Sequence, residues 1–368
     1  MKALAVVFPG TEEAASMEIK KIIGKSVKID DSVVIFDASD KDIAKLCYKA
    51  QTLQRVIGLF SGFPISEDFG KFEKEIVKNL DVKDYKDLEN KTFKVKCKRV
   101  GEHGFQSKDV EAFVGSVILK SVDAKVKMNG VDREIFVYIF NNMCYIGLDF
   151  CGFDLSKREY KVFTHSTDFN GAIASSFLYY LDFKGEKIVD PFCTNGTLMI
   201  EASLLSSGKS VHYFNKEKFL FRKFLDVDVG KFDGVCKDKC EIYGYDSLMR
   251  NVSSAKKNAK IAGVDKLINF SRVDVDWLDT KFNEGEVGAI LTKCPEPSKT
   301  FAEKDASKLI KELFHQAKFV LEKKGKIGLI CEKVDFIKGC VEEFSIKKEI
   351  EVMQGKKKMW FLIFKKTI

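Results

Sequence analysis

The residues best arranged for chemistry lie in Lys187-Ile188-Val189-Asp190-Pro191-Phe192-Cys193-Thr194-Asn195-Gly196-Thr197-Leu198-Met199-Ile200-Glu201-Ala202. This stretch reads as a strand, a tight loop and the start of a helix. Gly196 lets backbone approach a ligand closely, and Asp190 and Glu201 place carboxylates around the loop. Such charges suit an ammonium or a hydroxyl and would repel a phosphate. A further acid ends Gly244-Tyr245-Asp246, where a carboxylate can hold ribose hydroxyls. Another, Asp274 in Arg272-Val273-Asp274-Val275-Asp276-Trp277, can accept from an adenine amino group. Any one of these alone reads as a helix cap or a strand end in water. Three at successive strand ends point to a nucleoside ligand at the carboxyl edge of an open α/β sheet.

The elements that must position them follow from periodicity. After about residue 170, strands alternate with helices, which predicts a parallel sheet covered on both faces. Strands are expected at Ile188–Asp190, Ile242–Asp246, Ile268–Phe270, Val287–Leu291 and Ile327–Cys331, and helices at 197–205, 250–262 and 303–321. Ile350–Met353 and Trp360–Phe364 close the sheet as an antiparallel edge. Residues 1–65 read strand, helix, strand, helix, strand. The alternation in Thr92–Val100 predicts a half-buried strand with Lys94, Lys96 and Lys98 on its outer face. Ser107 is placed to cap the next helix, and Arg133–Phe140 with Met143–Leu148 form a hairpin around Asn141-Asn142.

The 368 residues exceed one ordinary domain. With 45% hydrophobic and 32% charged residues, the chain is globular rather than disordered. Its net charge of +8 suits a polyanion met on one face. No apolar run is long enough to span a membrane, and the start lacks a signal peptide, so a cytosolic location is expected. Ten cysteines sit mostly in apolar stretches, as reduced buried thiols do. Cys236 and Cys240 have a C-x3-C spacing without a second pair at zinc-finger distance, so no metal site is expected.

Asp-Pro-Phe-Cys-Thr-Asn-Gly-Thr at 190–197 resembles the Asp-Pro-Phe-Cys-Gly-Ser-Gly-Thr motif of THUMP-domain RNA guanosine N2-methyltransferases, archaeal tRNA methyltransferases among them. The resemblance extends over Gly152–Tyr160, His165–Asn170, 242–263, the THUMP-like 92–118 and Phe8–Glu13, in the family's order and over nearly the whole chain. It implies an α/β chain in four parts. They are a ferredoxin-like domain at 1–65, a THUMP RNA-binding domain at 66–150, a linker at 151–170, and a Rossmann-like class I methyltransferase domain at 171–368 with a mixed, mostly parallel seven-stranded sheet. It implies S-adenosylmethionine as cofactor. Asp190, Phe192, Cys193, Gly196 and Thr197 would form the methionine-side loop, Asp246 would hold the ribose, and Asp274 with Val275 the adenine.

Two departures stand out. Thr194 replaces the first glycine of the family's Gly-x-Gly, and a Cβ there crowds the loop. The family's catalytic Asn/Asp-Pro-Pro-aromatic motif is matched by Lys293-Cys294-Pro295-Glu296. An exocyclic amine needs acceptors to orient its lone pair, and a flipped base needs a stacking wall. A lysine side chain only donates, and a carboxylate offers no stacking face. Lys293 and Glu296 either pair and serve a changed target, with Glu296 as acceptor or base, or mark a site that has lost chemistry while keeping RNA binding. Cys294 is also readable as a nucleophile for pyrimidine C5, against the plainer reading of a core thiol.

The partner is read from basic residues. Residues 91–130 carry nine Lys/Arg against four acids, and Lys356-Lys357-Lys358 with Lys365-Lys366 form a second cluster. Lys94, Lys96, Lys98, Arg99 and Lys108 are the expected RNA contacts. Phosphate contacts of this kind give affinity and register rather than base choice. The expected function is methyl transfer from S-adenosylmethionine to tRNA, at guanosine N2. The alternatives are a non-catalytic tRNA-binding subunit and a methyltransferase for another RNA or base. Neither a membrane nor DNA is an expected partner. A monomer is favoured, with room for a small activating subunit.

Overall fold

The computed structural model describes residues 1–234 and 240–367. The chain divides into two compact units. One comprises Met1–Val7, Ile19–Leu155 and His212–Phe232, and the other Phe8–Glu18, Ser156–Val211 and Asp233–Ile368. Cys236 lies outside the described residues, and with it the C-x3-C pair. Among the described residues, no helix is long and apolar enough to cross a membrane.

In chain order the first unit holds β1 (Lys2–Val6), the end of α1 (Glu12–Ile23), β2 (Val27–Asp30), β3 (Val33–Asp37), α2 (Asp40–Lys49) and β4 (Arg55–Pro64). Then follow α3 (Phe69–Asn79), α4 (Val82–Tyr85), β5 (Thr92–Val100), α5 (Ser107–Leu119), β6 (Lys125–Val126), β7 (Arg133–Phe140) and β8 (Met143–Asp149). One eight-stranded sheet runs β2-β3-β1-β4-β8-β7-β5-β6. Residues 1–65 and 66–150, expected as separate modules, therefore share a sheet, joined where β4 pairs antiparallel with β8.

Local sequence explains most of these elements. Asp68 accepts the Lys71 N–H at 2.8 Å and starts α3, which buries Phe72 and Ile76. Each such side chain contributes about 1.5–3 kcal/mol. Asn141 adopts φ +50° in the β7–β8 turn. The cap of α5 is not Ser107, which is its first residue. Instead the Asp109 carboxylate accepts the Gln106 N–H at 2.7 Å, while the Ser107 hydroxyl accepts from Arg99 Nε at 3.3 Å. β2 escaped the periodicity because it is four residues long and no more than half-buried.

The second unit contains α6 (Gly171–Leu181), β9 (Ile188–Asp190), α7 (Thr197–Ser207), β10 (Ile242–Asp246), α8 (Met249–Ala262), β11 (Ile268–Arg272) and β12 (Val287–Lys293). After them come α9 (Glu303–Val320), β13 (Leu321–Cys331), α10 (Val334–Cys340), β14 (Phe344–Gln354) and β15 (Lys357–Lys366). The seven strands run β11-β10-β9-β12-β13-β15-β14, with β15 alone running opposite to the other six. This is the expected mixed, mostly parallel Rossmann-like sheet. Two apolar layers cover it, one around Phe177 stacked on Phe361 at 4.6 Å and one around Phe314 and Leu313 of α9. Beyond β9 the chain proceeds to β10 on one side and later returns to β12 on the other. The carboxyl ends of these strands flank the switch point, where open α/β sheets bind ligands.

Candidate functional site

At that switch point a cavity of about 650 Å³ opens, lined among others by Phe192, Thr194, Asp246, Asp274, Val275, Lys293, Cys294, Pro295 and Glu296. Four of the eight expected cofactor residues and all four expected catalytic residues thus meet in one cavity. Asp190, Cys193, Gly196 and Thr197 do not line it. They are buried behind the loop they shape.

The loop 190–197 is fixed from several directions. Asp190 Oδ1 accepts the Thr292 hydroxyl at 2.5 Å and the Phe192 N–H at 3.1 Å. Burial pushes its carboxyl up to about 7 despite these bonds, and the nearby Asp246 charge adds to the rise. Cys193 N–H donates to the Tyr245 carbonyl at 2.8 Å. Gly196 has φ +82°, and a Cβ there would meet the Ala255 Cβ and the Phe270 ring at 2.9 Å. Glycine is needed there both for conformation and for close approach. Thr194 has φ +46°, so the residue that stands in place of the family's glycine keeps a glycine-like backbone. The Asn195 amide donates to Asp168 at 2.8 Å and the Asn258 amide to the Asn195 carbonyl at 3.0 Å, tying loop, α8 and residue 168 together.

Asp246 is the hub. Its Oδ1 accepts the Leu248 N–H at 2.9 Å and the Asn251 amide at 3.0 Å, and its Oδ2 accepts the Thr194 N–H at 3.0 Å. Each oxygen of an ionised carboxylate has two acceptor directions. Three of the four directions are taken, and the one left on Oδ2, at the tip of β10, can accept a ribose hydroxyl. Asp274 and Val275 follow β11, the first exposed and the second buried against the core, which gives an acceptor beside an apolar wall.

Glu201, grouped with Asp190 by sequence, faces elsewhere. It is fully buried and takes Arg158 Nε at 2.7 Å, the Tyr160 hydroxyl at 2.7 Å and the Ser175 hydroxyl at 2.5 Å. Burial raises its carboxyl, and Arg158 with these hydrogen bonds outweighs that and holds it below the usual range. It braces α6 against α7.

Lys293 and Glu296 do not pair. Lys293 Nζ donates to the Thr167 carbonyl at 2.8 Å and to Glu332 at 3.0 Å, and Glu332 also takes Lys357 at 2.9 Å. Burial pushes the Lys293 ammonium below its ordinary value, against the pull of Glu332. Glu296 accepts the N–H of Glu332 at 2.9 Å with both oxygens and that of Lys333 at 2.6 Å. Its carboxylate therefore caps the turn after β13 and is not poised as a base. Burial pushes the Cys294 thiol well above its ordinary value, the opposite of what a nucleophilic thiolate requires.

Sequence reasoning missed Thr292, Asn251, Glu332 and Phe301, the last also lining the cavity. Asn251 was within reach, five residues after Asp246, and so was Phe301, which a local turn with Ser298 places. Thr292 and Glu332 depend on strand neighbours distant in sequence.

In the first unit, Lys94, Lys96 and Lys98 share the β5 face opposite Phe93, Val95 and Cys97, as alternation predicts. Lys94 is paired with buried Glu134 at 2.8 Å, and Lys98 donates to the Gln54 side chain. Burial lowers the Lys98 ammonium. Arg99 lies over the Phe105 ring at 5.4 Å. Lys96 and Lys108 are exposed. In the second unit, Lys357 and Lys358 pair with Glu332 and Glu351, so two of the five lysines of the carboxyl-terminal cluster are neutralised.

Comparison with known proteins adds three observations. The family model described as RMKL-like, methyltransferase domain matches residues 158–360, and a THUMP domain matches residues 74–149. The chain is 29% identical to the tRNA (guanine(6)-N2)-methyltransferase of Methanocaldococcus jannaschii, over 96% of this chain and 97% of that protein. It is 27% identical to the protein of the same name from Archaeoglobus fulgidus, over 79% and 73%. Its fold matches the solved structures of SMU.472 complexed with SAH (TM-score 0.80, 20% identity, 100% and 98% covered) and of TrmN from Thermus thermophilus (TM-score 0.71, 19%, 100% and 99%). Strand order, switch-point cavity and the match over more than half the chain agree: this protein belongs to the RMKL-like methyltransferase family and carries a THUMP domain.

Proposed function

We propose that the protein methylates tRNA at guanosine N2, with S-adenosylmethionine as donor. The observation that carries the reading is Asp246. Its buried carboxylate opens onto the switch-point cavity with both oxygens oriented by backbone and amide N–H groups. The donor supplies an electrophilic methyl group. Asp246 accepts from its ribose through the free direction on Oδ2, Asp274 accepts from the adenine amino group, and Phe192 and Val275 are apolar walls. The 190–197 loop, with Asp190 anchored on Thr292, sets the floor of the methionine side. Lys293 and Glu296 hold the segments around 167 and 332 at the cavity wall, so their part is positioning. The Ser298 and Thr300 hydroxyls, which line the cavity, offer acceptors to an exocyclic amine.

The target follows the activity for which the relatives are named and the THUMP domain, with exposed Lys96 and Lys108 as phosphate contacts. Leaving Cys240 aside, eight cysteines among the described residues are free thiols, which suits a reducing cytosol. The use of Lys293 and Glu296 as struts favours a second reading, in which donor and tRNA bind without transfer. Calorimetry with S-adenosylmethionine tests the donor assignment. Asp246→Ala should weaken binding roughly 10- to 100-fold, the loss expected for charge-assisted hydrogen bonds. Equal binding by variant and parent would discard the ribose role.

A further inference from the structure

Resting on the methyl-transfer reading, we infer that Phe301 is the stacking wall for the target base. A base turned out of its stack needs a flat apolar face to replace its lost neighbours. At the position where the family carries an aromatic, this chain has Glu296, whose carboxylate is turned to the N–H groups of Glu332 and Lys333. The cavity still has an aromatic face five residues further on. Ser298 and Phe301 form an isolated antiparallel bridge, with Ser298 N–H on the Phe301 carbonyl at 2.9 Å and the return bond at 3.3 Å. The Thr300 N–H adds a bond to the Ser298 hydroxyl at 3.3 Å. This closed turn brings half-buried Phe301 back to the cavity wall beside Pro295 and Pro297, just ahead of α9. Phe192, the other phenylalanine of the lining, packs against the core of the sheet and belongs to the donor end. The turn also presents the Ser298 and Thr300 hydroxyls next to the ring, so stacking and edge contacts come from one short segment.

The test compares single-turnover methyl transfer to unmodified tRNA by Phe301→Ala, Phe301→Leu and Phe301→Trp, with His165→Ala as the rival ring in the same lining. Phe301→Ala should lower the rate constant at sub-saturating tRNA roughly 10- to 100-fold, the worth of one base–aromatic stack. Phe301→Leu should recover little of it and Phe301→Trp most of it, with donor affinity unchanged throughout. The tryptophan added by Phe301→Trp should be quenched by saturating tRNA in the presence of S-adenosylhomocysteine, beyond the change seen for the parent's two tryptophans. Parent-like rates for Phe301→Ala, a loss carried by His165→Ala instead, or an unquenched added tryptophan would overturn the assignment. If the parent labels no tRNA, the methyl-transfer reading fails by itself, and the quenching still decides whether a base stacks on residue 301.

Discussion

Replacing Thr194 by glycine should stabilise the protein without weakening donor binding. Thr194 holds φ +46°, a region where an L residue is disfavoured by about 1–2 kcal/mol and a β-branched one is most crowded. Glycine removes that strain. It also makes the unfolded chain freer, which costs about 0.4–1 kcal/mol. The difference leaves a gain of about 1 kcal/mol. The Thr194 N–H bond to Asp246 belongs to the backbone and survives the change. Thr194→Ala separates the two parts, since it keeps the positive φ and the Cβ and loses only the branching at Cβ, so it should fall between parent and glycine variant. Thermal melts of the three proteins, read at the transition that S-adenosylmethionine shifts, should rank glycine above alanine above threonine. The span should be a few degrees. Calorimetry should find the donor bound at least as tightly by the glycine variant. A glycine variant that melts below the parent and binds the donor no better would refute the strain argument.

Asp190 makes stability depend on pH. Its folded value of about 7 against the ordinary 3.8 means that the native state holds the proton more tightly than the unfolded chain. The contribution is therefore full below about pH 4 and falls as pH rises to about 7, by about 4 kcal/mol in total. Asp190→Asn lacks that fall, so its melting temperature relative to the parent should rise between pH 4 and pH 8; a constant difference would contradict the raised value. Glu201→Ala removes the buried carboxylate paired with Arg158 and should cost about 3–5 kcal/mol in urea denaturation, against near-zero cost if the pair were surface-like. Neutralising Lys96 and Lys108 should each lower the slope of log K against log salt for tRNA by about 1. Lys94→Ala should also reduce stability, because it removes a partner of buried Glu134.

What was legible in the sequence was what repeats locally. The alternation of 92–100 set the bounds of β5, and Ile242–Asp246 set those of β10, because each residue's neighbours two positions away share its face. Asp246 and Asp274 were legible as strand-end acids. Other features were not. α6 is buried on nearly every side, so no polar stripe marks it as a helix. Glu201 looked like part of the Asp190 site because it lies nearby in sequence, but its partners Arg158 and Ser175 come from other segments. The roles of Lys293 and Glu296 depend on Glu332, which β13 brings beside β12, and no spacing in the chain encodes that neighbour.

Methyl transfer is assigned to a cavity in which Lys293 and Glu296, at the positions of the family's catalytic side chains, act as struts. Tritium transfer from S-adenosylmethionine to unmodified total tRNA, followed by nucleoside mass spectrometry, tests it most directly. N2-methylguanosine carrying the label, absent with Asp246→Ala, is the predicted result. Donor binding by calorimetry with no labelled nucleoside would contradict it.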